Sequence, residues 1–148
     1  MGKIIAFANQ KGGVGKTTTC VNVAAYLSAL GKKVLLVDMD PQGNATSGVG
    51  IDKNDELKSI YNVMIGENYI EEVIKKSKLR NLDILPSEIN LAGAEIELVQ
   101  MDNRESIVKN VLNRIKSSYD YICIDCAPSL GLLTVNALTA CDSVLIPI

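Results

Sequence analysis

Five apolar residues, Ile4 to Ala8, run through Asn9-Gln10 into Lys11-Gly12-Gly13-Val14-Gly15-Lys16-Thr17-Thr18. From Thr17 to Leu30 apolar residues then recur at helical spacing. A buried strand, a glycine-rich turn and a helix in that order gather backbone N–H groups at the positive end of a helix dipole, where an anion binds. The pattern G-x-x-x-x-G-K-[ST] describes such a phosphate-binding loop. Here Gln10 stands where its first glycine would be, while Gly15, Lys16 and Thr17 fit. The expected cradle is Gly12, Gly13, Val14, Gly15, Lys16, Thr17 and Thr18. Lys16 would meet β- and γ-phosphate oxygens, and the Thr17 hydroxyl would ligate Mg²⁺.

The rest of the chain repeats that strand–helix alternation. Strands are predicted at 4–9, 33–38, 82–86, 120–125 and 143–147. Helices are predicted at 17–30 (ended by Gly31), near 56–64 and 69–77, at 89–99 and 104–117, and near 131–140, with a glycine- and asparagine-rich loop over 39–54. Continuous apolar runs at 34–37, 121–124 and 144–146 suit strands covered on both sides. Together these imply an α/β chain, a mostly parallel sheet with helices on both faces. The last strand ends on Pro147-Ile148 with no covering element after it. The chain therefore reads as one domain, 1–148, truncated at its C-terminal side, with an exposed apolar patch near Val144–Ile148.

Composition narrows the partners. The 148 residues carry 15 basic and 17 acidic side chains, a net charge of −2, which predicts no clustered basic face for nucleic acid or an anionic membrane. No apolar run approaches the roughly 18 residues of a membrane span. The first apolar stretch is too short for a signal peptide, and Ala6 stands where N-myristoylation wants Ser or Thr. These features fit a cytoplasmic chain. Cys123-x-x-Cys126 lies in or just past an apolar run, so Cys20, Cys123, Cys126 and Cys141 read as structural thiols without a disulfide.

In an open parallel sheet the ligand sits beyond the carboxyl ends of the strands. Two such ends carry carboxylates besides the glycine loop: Asp38-Met39-Asp40-Pro41-Gln42-Gly43-Asn44 and Asp125-Cys126-Ala127-Pro128-Ser129. Asp125 has the form of a strand-end aspartate that holds the hydration shell of Mg²⁺. Asp38 and Asp40 both lie at the end of the second strand and are expected to take separate jobs. Asp40 would project into the loop and orient an attacking water. Asp38 would support the metal or hold the glycine loop by hydrogen bonds.

Residues Ala8 to Thr19 resemble the deviant Walker A motif of the ParA/Soj chromosome- and plasmid-partition ATPases, within the MinD/ParA superfamily. Leu35 to Thr46 resemble that family's second motif and Ile124 to Gly131 its third. Leu85-Pro86-Ser87 and Leu91-Ala92-Gly93-Ala94-Glu95 are similar to its middle region. The resemblance covers the whole chain and implies a P-loop NTPase fold and a Mg²⁺-dependent ATPase, weak without a stimulating partner. It implies an ATP-bound homodimer in which Lys11 reaches the phosphates held by the partner subunit. Lys11, Lys16 and Asp40 would then be catalytic, Thr17, Asp38 and Asp125 would serve the metal, and 38–46 and 125–131 would act as γ-phosphate switches.

By the same resemblance, such proteins associate with the nucleoid through nonspecific DNA and release it when a centromere-binding partner stimulates hydrolysis. Members run considerably further, and the missing stretch carries most adenine contacts and the basic DNA-binding residues. The alternative within the fold is a MinD-type membrane-cycling division ATPase. Its second motif typically lacks Pro41-Gln42-Gly43-Asn44, and its membrane helix lies beyond this stretch. An iron–sulfur nitrogenase-reductase relative would want exposed cysteines, a GTPase an Asn-Lys-x-Asp motif, and a non-catalytic scaffold needs neither Lys11 nor Asp40.

Overall fold

The computed structural model describes residues 2–9, 14–52, 57–128 and 131–147. Six strands form one sheet in the order β3-β4-β2-β5-β1-β6: β1 (Lys3–Phe7), β2 (Val34–Asp38), β3 (Lys75–Lys76), β4 (Leu82–Leu85), β5 (Tyr121–Asp125) and β6 (Ser143–Leu145). All pairings are parallel except that of β3 with β4. β2 is buried at every position, as a central strand covered on both faces must be.

Alternation along the strands splits the core in two. Phe7, Val34, Leu36, Ile84 and Cys123 pack on one face with Cys20 and Ala24 of α1 (Val14–Ala29) and Ala45 of α2 (Asn44–Gly48). Ile4, Ala6, Leu35, Val37, Ile122 and Ile124 pack on the other. That second face is covered by α3 (Ile60–Met64), α4 (Ile70–Val73), α5 (Ala94–Leu98), α6 (Ile107–Asn113) and α7 (Leu132–Ala140). Helices therefore cover both sides, as the alternating pattern implies.

Several elements differ from the pattern. The loop expected over 39–54 contains α2, which follows a tight turn in which Gly43 N–H donates to the Asp40 carbonyl at 2.9 Å. Gly43 itself sits at φ 67°, a conformation glycine adopts without strain. The helix expected near 56–64 begins only at Ile60, where the Ser59 hydroxyl accepts from Tyr61 N–H at 3.1 Å and Asn62 reaches back to Ser59 N–H at 2.9 Å. The helix expected at 69–77 stops at Val73, because Lys75 and Lys76 leave it to pair with Asp83 and Ile84 as an edge strand. The stretch 89–99 divides into a 3₁₀ turn over Ile89–Gly93 and α5, and 104–117 keeps only α6 as α-helix between two 3₁₀ turns. β6 ends at Leu145, ahead of Pro147, which lacks the N–H a strand needs.

Cys20, Cys123 and Cys126 are buried, whereas Cys141 is half-buried and its thiol donates to the Leu138 carbonyl. Cys123 and Cys126 belong to opposite core clusters, and burial pushes both up to about 12. Among the described residues no helix is long and apolar enough to cross a membrane. The expectation of no clustered basic face needs correcting. Lys33, Lys76, Lys78 and Arg80, separate in sequence, line one cleft at the amino end of β2 and β4, because the β3–β4 hairpin folds back beside the start of β2. A near-zero sum over the chain conceals this local excess.

Candidate nucleotide site

β2 and β5 lie side by side with Asp38 and Asp125 in register, so their backbones are one strand spacing apart there, about 4.8 Å. The Asp125 charge raises the proton affinity of Asp38, and the fold gives each carboxylate its own helix. Asp125 takes the start of α1: the Lys16 ammonium pairs with its Oδ1, and the Thr17 hydroxyl donates to its Oδ2 at 2.9 Å. Lys16 is only 2% exposed. Burial pushes the Asp125 carboxyl up, while Lys16 and Thr17 pull it back.

Asp38 takes α2. Its Oδ2 accepts from the Thr46 N–H at 2.9 Å and the Thr46 hydroxyl at 2.7 Å, and its Oδ1 accepts from Asp40 N–H at 3.1 Å. Full burial pushes its carboxyl up to about 6 against those hydrogen bonds, with the Asp125 charge adding to the rise. Thr46 passes the contact on: its hydroxyl oxygen accepts from Ser87 N–H at 3.0 Å, and the Ser87 hydroxyl donates to the Asp40 carbonyl at 2.6 Å. A closed loop of buried hydrogen bonds thus runs Asp38–Thr46–Ser87–Asp40 and back. The Asp40 carboxylate accepts from Gln42 N–H at 3.0 Å and faces a cleft of about 590 Å³. Lys16, Thr17, Thr18, Asn22, Gln42, Asn44 and Pro128 line it with Asp40.

Of the residues expected in the site, Lys16, Thr17, Thr18 and Asp40 meet at this cleft, and Asp125 stands behind Lys16. Gly15, the second residue of α1, is exposed. Val14 starts that helix, whereas Lys11, Gly12 and Gly13 lie outside the described residues. Asp38 and Asp40 do face different partners. The partners of Asp38 belong to the segment after β2, and none of them to the described part of the glycine loop. Ser87 and Thr46 were missed as site residues. Both occur in quoted motifs, but nothing in their spacing shows that residues 41 apart join behind Asp40. The donor set fits a nucleotide with Mg²⁺: a buried ammonium, and a hydroxyl beside a carboxylate for an ion that takes few protein ligands.

A family model for an AAA domain (AAA_31) matches residues 2–148. The chain belongs to that family. It is 59% identical over 148 residues to the sporulation initiation inhibitor protein Soj of Bacillus subtilis and 52% identical to the chromosome partitioning protein ParA of Myxococcus xanthus. It is covered in full by both, and spans 58% and 52% of their lengths. The ParA/Soj resemblance carried by three motifs thus extends over the whole chain. Among solved structures, cobyrinic acid a,c-diamide synthase from Mycobacterium smegmatis with bound ATP analog and magnesium matches with a TM-score of 0.96. That match is at 40% identity, over 100% of this chain and 60% of that one. The fold thus serves proteins of different names, and function has to be argued from the site.

Proposed function

We propose that this chain is the nucleotide-binding part of an ATP-hydrolysing partition protein. The observation that carries the reading is the convergence of Lys16, Thr17 and Asp125 at a cleft that Asp40 also lines. The names of the Soj and ParA relatives support chromosome partition, and the ATP analog and magnesium of the synthase structure support the ligands. Phosphate oxygens would compete with Asp125 for the Lys16 ammonium, leaving Thr17 and Asp125 to hold Mg²⁺. When bound, Mg²⁺ neutralises charge developing on the phosphate oxygens. Gly12 to Gly15 would offer backbone N–H groups to the same oxygens.

Asp40 would hold the attacking water, since its carboxylate faces the cleft and its backbone is fixed by Ser87. Asp38 would serve the metal site indirectly, by holding the Asp40 loop through Thr46. Lys11 would reach the phosphates of a partner subunit in an ATP-bound homodimer and supply positive charge there. Cycling on nonspecific DNA in the nucleoid, with release by a centromere-binding partner, follows from the same reading and would need the longer protein.

Titration calorimetry with ATP and Mg²⁺ tests the site. Losing one charge-assisted phosphate contact costs about 1.5–3 kcal/mol, so Lys16→Gln should weaken binding about 10- to 150-fold without unfolding the chain. Unchanged affinity would overturn the assignment.

A further inference from the structure

α7 brings little of its own to satisfy its first turn. Gly131 stands at its N-cap without a side-chain hydrogen bond, and the first turn holds no acidic residue. The opening N–H groups of a helix lack partners within it, and a carboxylate beside them is favourable. Glu95 of α5 supplies one from outside: its Oε1 accepts from Leu133 N–H at 3.3 Å. The same carboxylate lies over Gly131. A Cβ at residue 131 would collide with Glu95 Oε1, and its nearest neighbours beyond the adjoining residues are all atoms of that carboxyl group. Gly131 has φ −77° and ψ −169°, extended backbone that any residue adopts. The Glu95 carboxylate is therefore what keeps a side chain out.

The start of α7 is tied to the nucleotide cleft. The Thr134 hydroxyl donates to the Ala127 carbonyl at 3.4 Å, and Pro128, next in the chain, lines the cleft. The middle of α7 is anchored elsewhere: Asn136 accepts from Val108 N–H at 3.1 Å and donates to the Arg104 carbonyl at 2.7 Å, beside the start of α6. We propose that Glu95 is a positioning residue for the nucleotide cleft. It sets where α7 starts and, through Thr134, where the wall at Ala127 and Pro128 stands. Its carboxylate meets α7, so its effect on the cleft passes through that helix. The inference rests on the nucleotide reading of the cleft and assigns Glu95 a part in turnover. Misplacing a positioned group by about 1 Å can cost about 10²-fold in rate.

Variants of the hydrolysing protein test it. Glu95→Ala should lower turnover at saturating ATP about 5- to 20-fold and leave ATP affinity within about twofold. Gly131→Ala should do the same, because the added methyl group displaces the flexible Glu95 side chain. Glu95→Ala/Gly131→Ala should be no slower than either single variant, whereas independent effects would multiply. Glu95→Gln keeps an oxygen for Leu133 N–H and should retain most of the turnover. Glu97→Ala controls for a merely structural role, since Glu97 also belongs to α5 but accepts the Tyr61 hydroxyl at 2.6 Å. It should leave turnover unchanged. Multiplied losses in the double variant, unchanged turnover in Glu95→Ala, or an equal loss in Glu97→Ala would overturn the proposal. Urea unfolding without nucleotide judges the contact separately. Gly131→Ala should raise the unfolding constant about 2- to 12-fold when Glu95 is present and not when it is Ala; a cost that persists without Glu95 would also overturn the proposal. Failure of the nucleotide reading would look different. The native protein would then bind no ATP, and the positioning role would fall with it, while the nucleotide-free cycle still upheld the contact.

Discussion

Asp38 shows how a single buried carboxylate can be both necessary and costly. Its three hydrogen bonds fix the Asp40 loop, yet burial lifts its carboxyl to about 6 from an ordinary 3.8. An acid raised in the folded state binds more protons there than in the unfolded chain over that interval. Its contribution to stability is therefore fully present below about pH 4 and lost as pH rises through about 6, a loss of roughly 3 kcal/mol. Urea unfolding of the protein and of Asp38→Asn, which does not titrate, should reveal it. The difference in stability between the two should shift against the native chain by roughly that amount from pH 4 to pH 7. A difference independent of pH would mean that Asp38 is ionised throughout. Asp40 differs in kind, since its carboxylate faces the cleft. Asp40→Ala in the hydrolysing protein should keep ATP bound and lose about 10²- to 10⁴-fold in turnover, by analogy with removing a general base; normal turnover would assign the water to another group.

At the scale of elements, the site is held by the ends of β2 and β5, the start of α1 and the end of β4, and the last is the one that sequence reasoning did not use. β4 delivers Ser87 through Leu85-Pro86, and its hydroxyl ties the Asp40 carbonyl to the end of that strand at 2.6 Å. Ser87→Ala removes one of the two hydrogen bonds on that carbonyl and leaves the one from Gly43 N–H, a cost of about 0.5–1.5 kcal/mol in stability. It should slow hydrolysis about 5- to 10-fold with ATP affinity unchanged, the equivalent of about 1–1.4 kcal/mol in the barrier. If affinity falls while turnover at saturation holds, Ser87 shapes the cleft and does not position Asp40. The parallel sheet, and the meeting of Lys16, Thr17, Asp40 and Asp125, were legible because apolar runs and the residues closing them obey local rules. Thr46 and Ser87 were not, since a buried hydrogen-bond network depends on which strand lies beside which. Nor were α2 and β3: a five-residue helix in a glycine-rich stretch and a two-residue edge strand carry too little periodicity to register.

At the scale of the molecule the two edges of the sheet contrast. β3 ends it with exposed Lys75 and Lys76, charges that oppose pairing with another strand. β6 ends it with Val144, Leu145 and Ile146 at 46%, 37% and 66% exposure. It pairs with β1 on one side, and among the described residues no strand pairs with the other. An apolar, unguarded edge recruits a further strand or a second copy. Sedimentation velocity on the 148-residue chain should therefore show association that grows with concentration. Val144→Lys, placing on β6 the kind of charge β3 already has, should reduce it, because residue 144 is exposed and the substitution spares the core. Lys75→Val/Lys76→Val should add association at the opposite edge. A chain that stays monomeric over the whole range, or whose association ignores Val144→Lys, would show that β6 is not the adhesive edge.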